Sequence, residues 1–157
     1  MDVLYLYIYR LCYALRGRLP SRSRGTGVRA FLGRLILPTQ RLKVRVRSGL
    51  SQGLWICARF PEEASYWRGN RERVVERMIR ASVHEGSVVY DVGAHVGVVT
   101  FGAARLAGGS GRVIAFDADP ENVASLRKCC ALNRYEERIR VVQAAVWSSN
   151  NGVAFRR

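Results

Sequence analysis

An aspartate that ends an apolar run, with two glycines close behind it, is the most chemically suggestive pattern in the sequence. In VVYDVGAHVGVVTF the pattern is Asp91-x-Gly93-x-x-x-Gly97. Glycine carries no Cβ, so the backbone can pass close to a ligand that a side chain would block. A helix that begins behind such a loop offers unpaired N–H groups. Twenty residues after Gly97, a second apolar run ends on another carboxylate, Asp117. A carboxylate at that place can accept hydrogen bonds from both hydroxyls of a ribose, each charge-assisted bond being worth roughly 1.5–3 kcal/mol. The pattern implies recognition of a nucleoside-bearing cofactor.

The sign of the charge narrows the choice. A dinucleotide fingerprint reads G-x-G-x-x-G. Setting Gly93 as its second glycine puts Asp91 at the first and Val96 at the third. A carboxylate would then face and repel a pyrophosphate. S-adenosylmethionine carries no phosphate, but an ammonium and a sulfonium, both positive. Asp91 favours that ligand over NAD. Structural readings of the same residues stay open. Asp91 could cap the next helix, and the glycines could serve close packing. Asp117 could be a solvated strand end. His95 could act as a general base, although a histidine beside a cofactor loop is more often a positioning or packing residue.

These residues need strands and helices to hold them. Val88–Val92 has strand length, and Val96–Ala107 has helical composition. GGSG at 108–111 is a turn, and Arg112–Phe116 a second strand. Asp119-Pro120 reads as an N-cap with proline at the first helical position, opening a helix to about Leu132 with Val123, Leu126 and Cys130 inward. Ile139–Val146 is a third strand. Asn150-Asn151-Gly152 is a tight turn, and Val153–Phe155 begins another strand. Apolar strands alternating with helices predict a parallel sheet covered on both faces, with its strand ends gathered on one edge. Ligands in such sheets bind at the carboxyl ends of the strands. Upstream, Arg41–Arg47 alternates as a half-buried strand, with Gly53–Ala58 as its hairpin partner and Trp55 as an anchor. Asn70–Val83 has helical spacing, with Asn70 as N-cap and Val74, Val75, Met78, Ile79, Ser82 and Val83 on one apolar face.

YWRGNRE (66–72), VVYDVGAHVGVVTF, RVIAFDADPENVASLRKCCALN and RVVQAAVWSSNNG together resemble the FkbM family of S-adenosylmethionine-dependent methyltransferases, over roughly Trp55–Phe155. The resemblance implies an α/β, Rossmann-like class I methyltransferase sheet. It implies that Asp91, Gly93, Ala94, His95 and Gly97 hold the methionine part of the cofactor and Asp117 the ribose. The family usually has Glu-Pro where this chain has Asp117-Ala118, a shorter carboxylate. Glu72 closes the upstream Gly-x-x-Glu element, where a first-turn helix acid is the plain reading. Gln143, with Ala144, falls where the adenine edge is met; it also reads as a solvent-facing strand residue. The implied reaction is methyl transfer to a sugar or other small-molecule hydroxyl, with no metal and no catalytic residue that can be named. A complete sheet of this type has about seven strands, whereas three stand in register here. The expectation is an incomplete sheet: 1–40 a basic, partly helical N-terminal extension, and 41–157 the amino-terminal portion of a methyltransferase domain, its Rossmann-like core from about 87.

Composition frames the alternatives. The chain has 157 residues and a net charge of +14. Residues 1–60 hold twelve basic residues against the single acid Asp2, so about +11 of that charge lies there. A GC-rich genome accounts for scattered arginines as readily as an anionic partner does. An RNA methyltransferase is therefore an alternative reading, with nucleic acid possible but not favoured. A truncated, non-enzymatic remnant that at most binds the cofactor is another. No apolar segment has the length of a membrane span. Residues 3–15, rich in tyrosine, could contact a membrane surface peripherally or dock on the chain's own core. Cys12, Cys57, Cys129 and Cys130 lack metal-ligand spacing and read as reduced packing residues, which points to the cytoplasm, with membrane association as the variant. Oligomeric state is left open.

Overall fold

A computed structural model describes residues 41–71 and 73–149. The extension at 1–40, its membrane-contact segment 3–15, Cys12, Glu72, and the turn and strand expected at 150–155 lie outside the described residues.

The chain enters through a hairpin. Strand β1 (Leu42–Arg45) pairs antiparallel with β2 (Trp55–Ala58), Leu42 opposite Ala58 and Arg45 opposite Trp55. Leu42, Val44 and Val46 are buried while Lys43, Arg45 and Arg47 are exposed, as alternation at period two requires. Trp55 is only half-buried, with the Arg45 guanidinium 4.6 Å above its ring. The buried indole is Trp67, on the short helix α1 (Ala64–Arg68).

Helix α2 (Arg73–Ser82) follows, within the span its sequence suggests. Among the described residues its apolar face is largely uncovered: Val74 and Met78 are each 63% exposed, and Ile79 packs on the core. An amphipathic pattern specifies that a face seeks cover, not which surface supplies it.

Three parallel strands then form in the order β3 (Val88–Val92), β4 (Arg112–Asp117), β5 (Ile139–Gln143). Val92 stands beside Phe116, and Asp117 beside Gln143. Helix α3 (Val98–Leu106) connects the first two strands, and α4 (Pro120–Asn133) the second and third. As the sequence indicates, Asp119 caps α4: its side chain accepts from the Glu121 N–H, and Pro120 opens the helix. Strand β5 ends at Gln143, short of Val146. The Ala144 N–H still reaches the Asp117 carbonyl at 3.1 Å, and among the described residues no pairing continues past it.

Among the described residues the sheet is covered on one face only, which leaves the uncovered apolar face that an incomplete, three-stranded sheet implies. Val89, Val113, Ala115, Ile139 and Val141 meet Phe101, Ala104, Leu126 and Cys130 in the cluster that also takes in the hairpin. On the opposite face Val88, Tyr90 and Val92 are 59%, 67% and 60% exposed, and Tyr90 stacks on Phe116. Strands added successively in one direction through right-handed crossovers put both connecting helices on the same side. That geometry, which strand composition does not report, makes the sheet one-sided among the described residues. Cys57, Cys129 and Cys130 are buried free thiols; the Cys57 and Cys129 sulfurs lie 3.3 Å apart between β2 and α4. Among the described residues no helix is long and apolar enough to cross a membrane.

Candidate functional site

The carboxyl ends of β3, β4 and β5 bring Asp91, Asp117 and Gln143 to one edge. Between β3 and α3 the chain folds back over the end of β4: the N–H groups of Gly93 and Ala94 both donate to the Phe116 carbonyl, at 2.9 and 3.0 Å. Three residues of this loop have positive φ: Gly93 at 82°, His95 at 50° and Gly97 at 84°.

The two glycines do different work. A Cβ on Gly93 would meet nothing within 4 Å, so its bare backbone borders open space. A Cβ on Gly97 would come within 2.4 Å of the Phe101 ring and 2.7 Å of Leu126. Gly97 lets the start of α3 pack on the protein's own core. Ala94 is buried beside it, and His95 half-buried.

Asp91 is half-buried and accepts from the Thr100 hydroxyl at 2.5 Å, which ties the first turn of α3 to the end of β3. Asp117 is 8% exposed and turned toward the protein. Its Oδ1 accepts from the Asp119 N–H at 2.9 Å and from Asn122 Nδ2 at 3.1 Å, and its Oδ2 from the His95 N–H at 2.8 Å. A carboxylate offers about four acceptor positions, so the bonds already made leave room for about one more donor. Ala118 is half-buried and Gln143 exposed at this edge. Glu72 lies outside the described residues.

Sequence reasoning missed Arg41, Glu63, Tyr66, Thr100 and Asn122. Glu63 Oε1 receives His95 Nε2 at 3.2 Å and Arg41 Nη2 at 3.3 Å, while Oε2 accepts from the Arg59 N–H at 2.7 Å. Burial by itself would raise this carboxyl. The hydrogen bonds from His95 and Arg59 and the nearby Arg41 charge outweigh it, and the Glu63 pKa lies below its ordinary value. Tyr66 packs on the His95 ring at 5.0 Å. Arg41, Glu63 and Tyr66 come from a segment distant in sequence from His95, and no local spacing announces them. Among the described residues no three His, Cys, Asp or Glu side chains converge as metal ligands would.

Residues 91–155, from the aspartate of the loop onward, match the family model of the methyltransferase FkbM domain. The match covers 65 of the chain's 157 residues and is to the FkbM methyltransferase family that the sequence resembles. The family's cofactor is S-adenosylmethionine. No curated protein matches the chain. Among solved structures, it is similar to an RNA methyltransferase from Salinibacter ruber in complex with S-adenosyl-L-homocysteine, at 26% identity over 50% of this chain and 51% of that one, TM-score 0.44. It is similar to an S-adenosylmethionine-dependent methyltransferase from Aquifex aeolicus, at 22% identity over 47% and 38% of the two chains, TM-score 0.40. A presumed transferase from Pyrococcus horikoshii aligns over 69% of this chain and 37% of its own, at 20% identity and TM-score 0.50, a likeness of fold. The chain spans about half or less of the length of each. The FkbM segment thus begins with Asp91 and contains the whole loop, both helices that cover the sheet, and strands β4 and β5.

Proposed function

We propose that this chain binds S-adenosylmethionine over the carboxyl ends of β3 and β4 and serves methyl transfer to a hydroxyl oxygen of a sugar or other small molecule. The observation that carries the reading is the loop at Gly93: positive φ, bare backbone bordering open space, and a carboxylate two residues before it. Such a cradle suits a cationic ligand that must lie close to main chain and would suit a pyrophosphate poorly.

When bound, the cofactor supplies an electrophilic methyl group on a sulfonium. The protein's own part is binding and orientation. Asp91 contributes negative charge toward the ammonium and sulfonium. Gly93, Ala94, His95 and Gly97 shape the main chain around the methionine part. Asp117 has acceptor capacity for about one ribose hydroxyl rather than two, because its carboxylate already carries the His95, Asp119 and Asn122 bonds. Ala118, Gln143 and Glu72 complete the proposed contacts, Gln143 at the adenine edge. Transfer then requires an acceptor oxygen held in line with the methyl at near-attack distance.

Calorimetric titration of S-adenosylmethionine into the purified chain tests this. Saturable binding is expected, with Asp91→Asn weakening it by about tenfold through loss of charge complementarity. No binding by the wild type, or equal binding by Asp91→Asn, would count against the reading. A labelled-methyl assay with hydroxyl acceptors then addresses the substrate. RNA as acceptor, suggested by the net charge of +14, would instead reveal itself as binding that falls steeply with salt.

A further inference from the structure

His95 is a non-glycine residue in the left-handed region, φ 50°, in the middle of the cofactor loop. Such a backbone persists only where the surroundings hold it. Three contacts do so here. Its N–H donates to Asp117 Oδ2 at 2.8 Å, its Nε2 meets Glu63 Oε1 at 3.2 Å, and its ring lies against Tyr66. Glu63 is 8% exposed and is itself seated by the Arg59 N–H and by Arg41. Arg41 donates to Asn122 Oδ1 at 2.5 Å, and Asn122 donates to the same Asp117 carboxylate. The contacts close a ring: Arg41, Asn122, Asp117, His95, Glu63 and back to Arg41. It runs from the hairpin segment through the start of α4 to the loop and returns. Arg41 and Glu63 both lie outside the matched residues 91–155.

We propose that Glu63 is a positioning residue for the cofactor loop. Held by Arg41, it fixes the His95 imidazole, and through the imidazole the left-handed backbone that sets the direction of the turn from Gly93 to Gly97. The proposal rests on the reading of this loop as the S-adenosylmethionine site, and it places part of the site's machinery in the hairpin segment. A glutamate that only neutralised Arg41 would stabilise the hairpin without touching the loop. The two roles differ in whether the effect of Glu63 depends on what stands at position 95. Glycine adopts positive φ without support, so it should release the loop from its need for Glu63.

The test uses the full chain, with two readouts: S-adenosylmethionine affinity by calorimetry, and amide hydrogen exchange over 93–97, which needs no ligand. Glu63→Gln keeps an acceptor for the imidazole N–H and is expected to stay within about threefold of wild type in both. Glu63→Leu is expected to weaken the cofactor by about tenfold and to speed exchange at the loop amides. In the His95→Gly background, Glu63→Leu should add nothing further to either readout. Unchanged loop exchange in Glu63→Leu, or an equal effect in the His95→Gly background, would overturn the proposal. If Glu63→Leu does not fold, Glu63→Ala is compared in the wild-type and His95→Gly backgrounds by the same exchange; faster loop exchange in the wild-type background alone is expected, and equal effects in both backgrounds overturn the proposal. A wild type that binds no cofactor refutes the cofactor reading instead, and the exchange comparison then still settles the positioning role.

Discussion

At the scale of single residues, Gly93 and Gly97 look equivalent in sequence and are opposite in structure. Both have positive φ, but one borders open space and the other the Phe101 and Leu126 side chains. Gly93→Ala should cost only the left-handed backbone, about 1–2 kcal/mol. Gly97→Ala adds overpacking to the same strain, for about 2–4 kcal/mol. Urea unfolding of the two variants checks the order, and equal losses would mean that the loop packs otherwise. Asp117 carries a related lesson. Its position at the end of a strand was legible, because an apolar run stopping on a carboxylate is a local signal. Its orientation was not, because the donors that turn it inward, His95 N–H and Asn122, arrive from the preceding loop and the following helix.

At the scale of elements, periodicity located the strands and helices well and their exposure poorly. Strand β3 runs over Val88–Val92 as its composition indicates, and α4 begins at Pro120 behind its cap. The inward residues Val123, Leu126 and Cys130 are all buried. Helix α2 has an equally regular apolar stripe, yet Val74 and Met78 stand exposed. The difference is the presence of a partner surface. Leu126 lies against Gly97 and within the main cluster, so Leu126→Ala should cost about 2–5 kcal/mol. Met78→Gln should stay within about 0.5 kcal/mol of wild type, as substitutions on exposed surface do. Chemical denaturation of both variants gives the comparison directly, and a large loss from Met78→Gln would show that its face is covered in solution.

At the scale of the whole molecule, the hairpin and the three-stranded sheet are bound together by polar contacts. Asn133 at the end of α4 both accepts from and donates to the Trp55 backbone, at 2.8 and 2.9 Å. Arg105 of α3 reaches the Gln52 carbonyl at 2.8 Å, and Glu63 joins Arg41 to His95 in the loop between β3 and α3. Glu63 makes this coupling sensitive to acid. Its folded pKa lies below the ordinary 4.5, so its contribution is fully present above that value and is lost as pH falls through the lowered folded value. Glu63→Gln has no proton to take up there. Its stability deficit against wild type should therefore shrink as pH falls below about 4.5, in pH-dependent urea unfolding. A deficit that stays constant across that range would mean the carboxylate gains nothing from its partners.

The sequence by itself determined the order of the elements other than α1, the cap of α4, the gathering of Asp91, Asp117 and Gln143 on one edge, and the FkbM resemblance, which the match over 91–155 bears out. Each of these rests on local spacing: period two, period 3.6, a proline after an aspartate, glycines at fixed intervals. Only the tertiary structure decided which face of the sheet is covered, which glycine faces the core, and that Glu63 and Arg41 reach His95 and Asn122. Those features depend on crossover handedness and on contacts between segments far apart in the chain. Local periodicity carries no record of either.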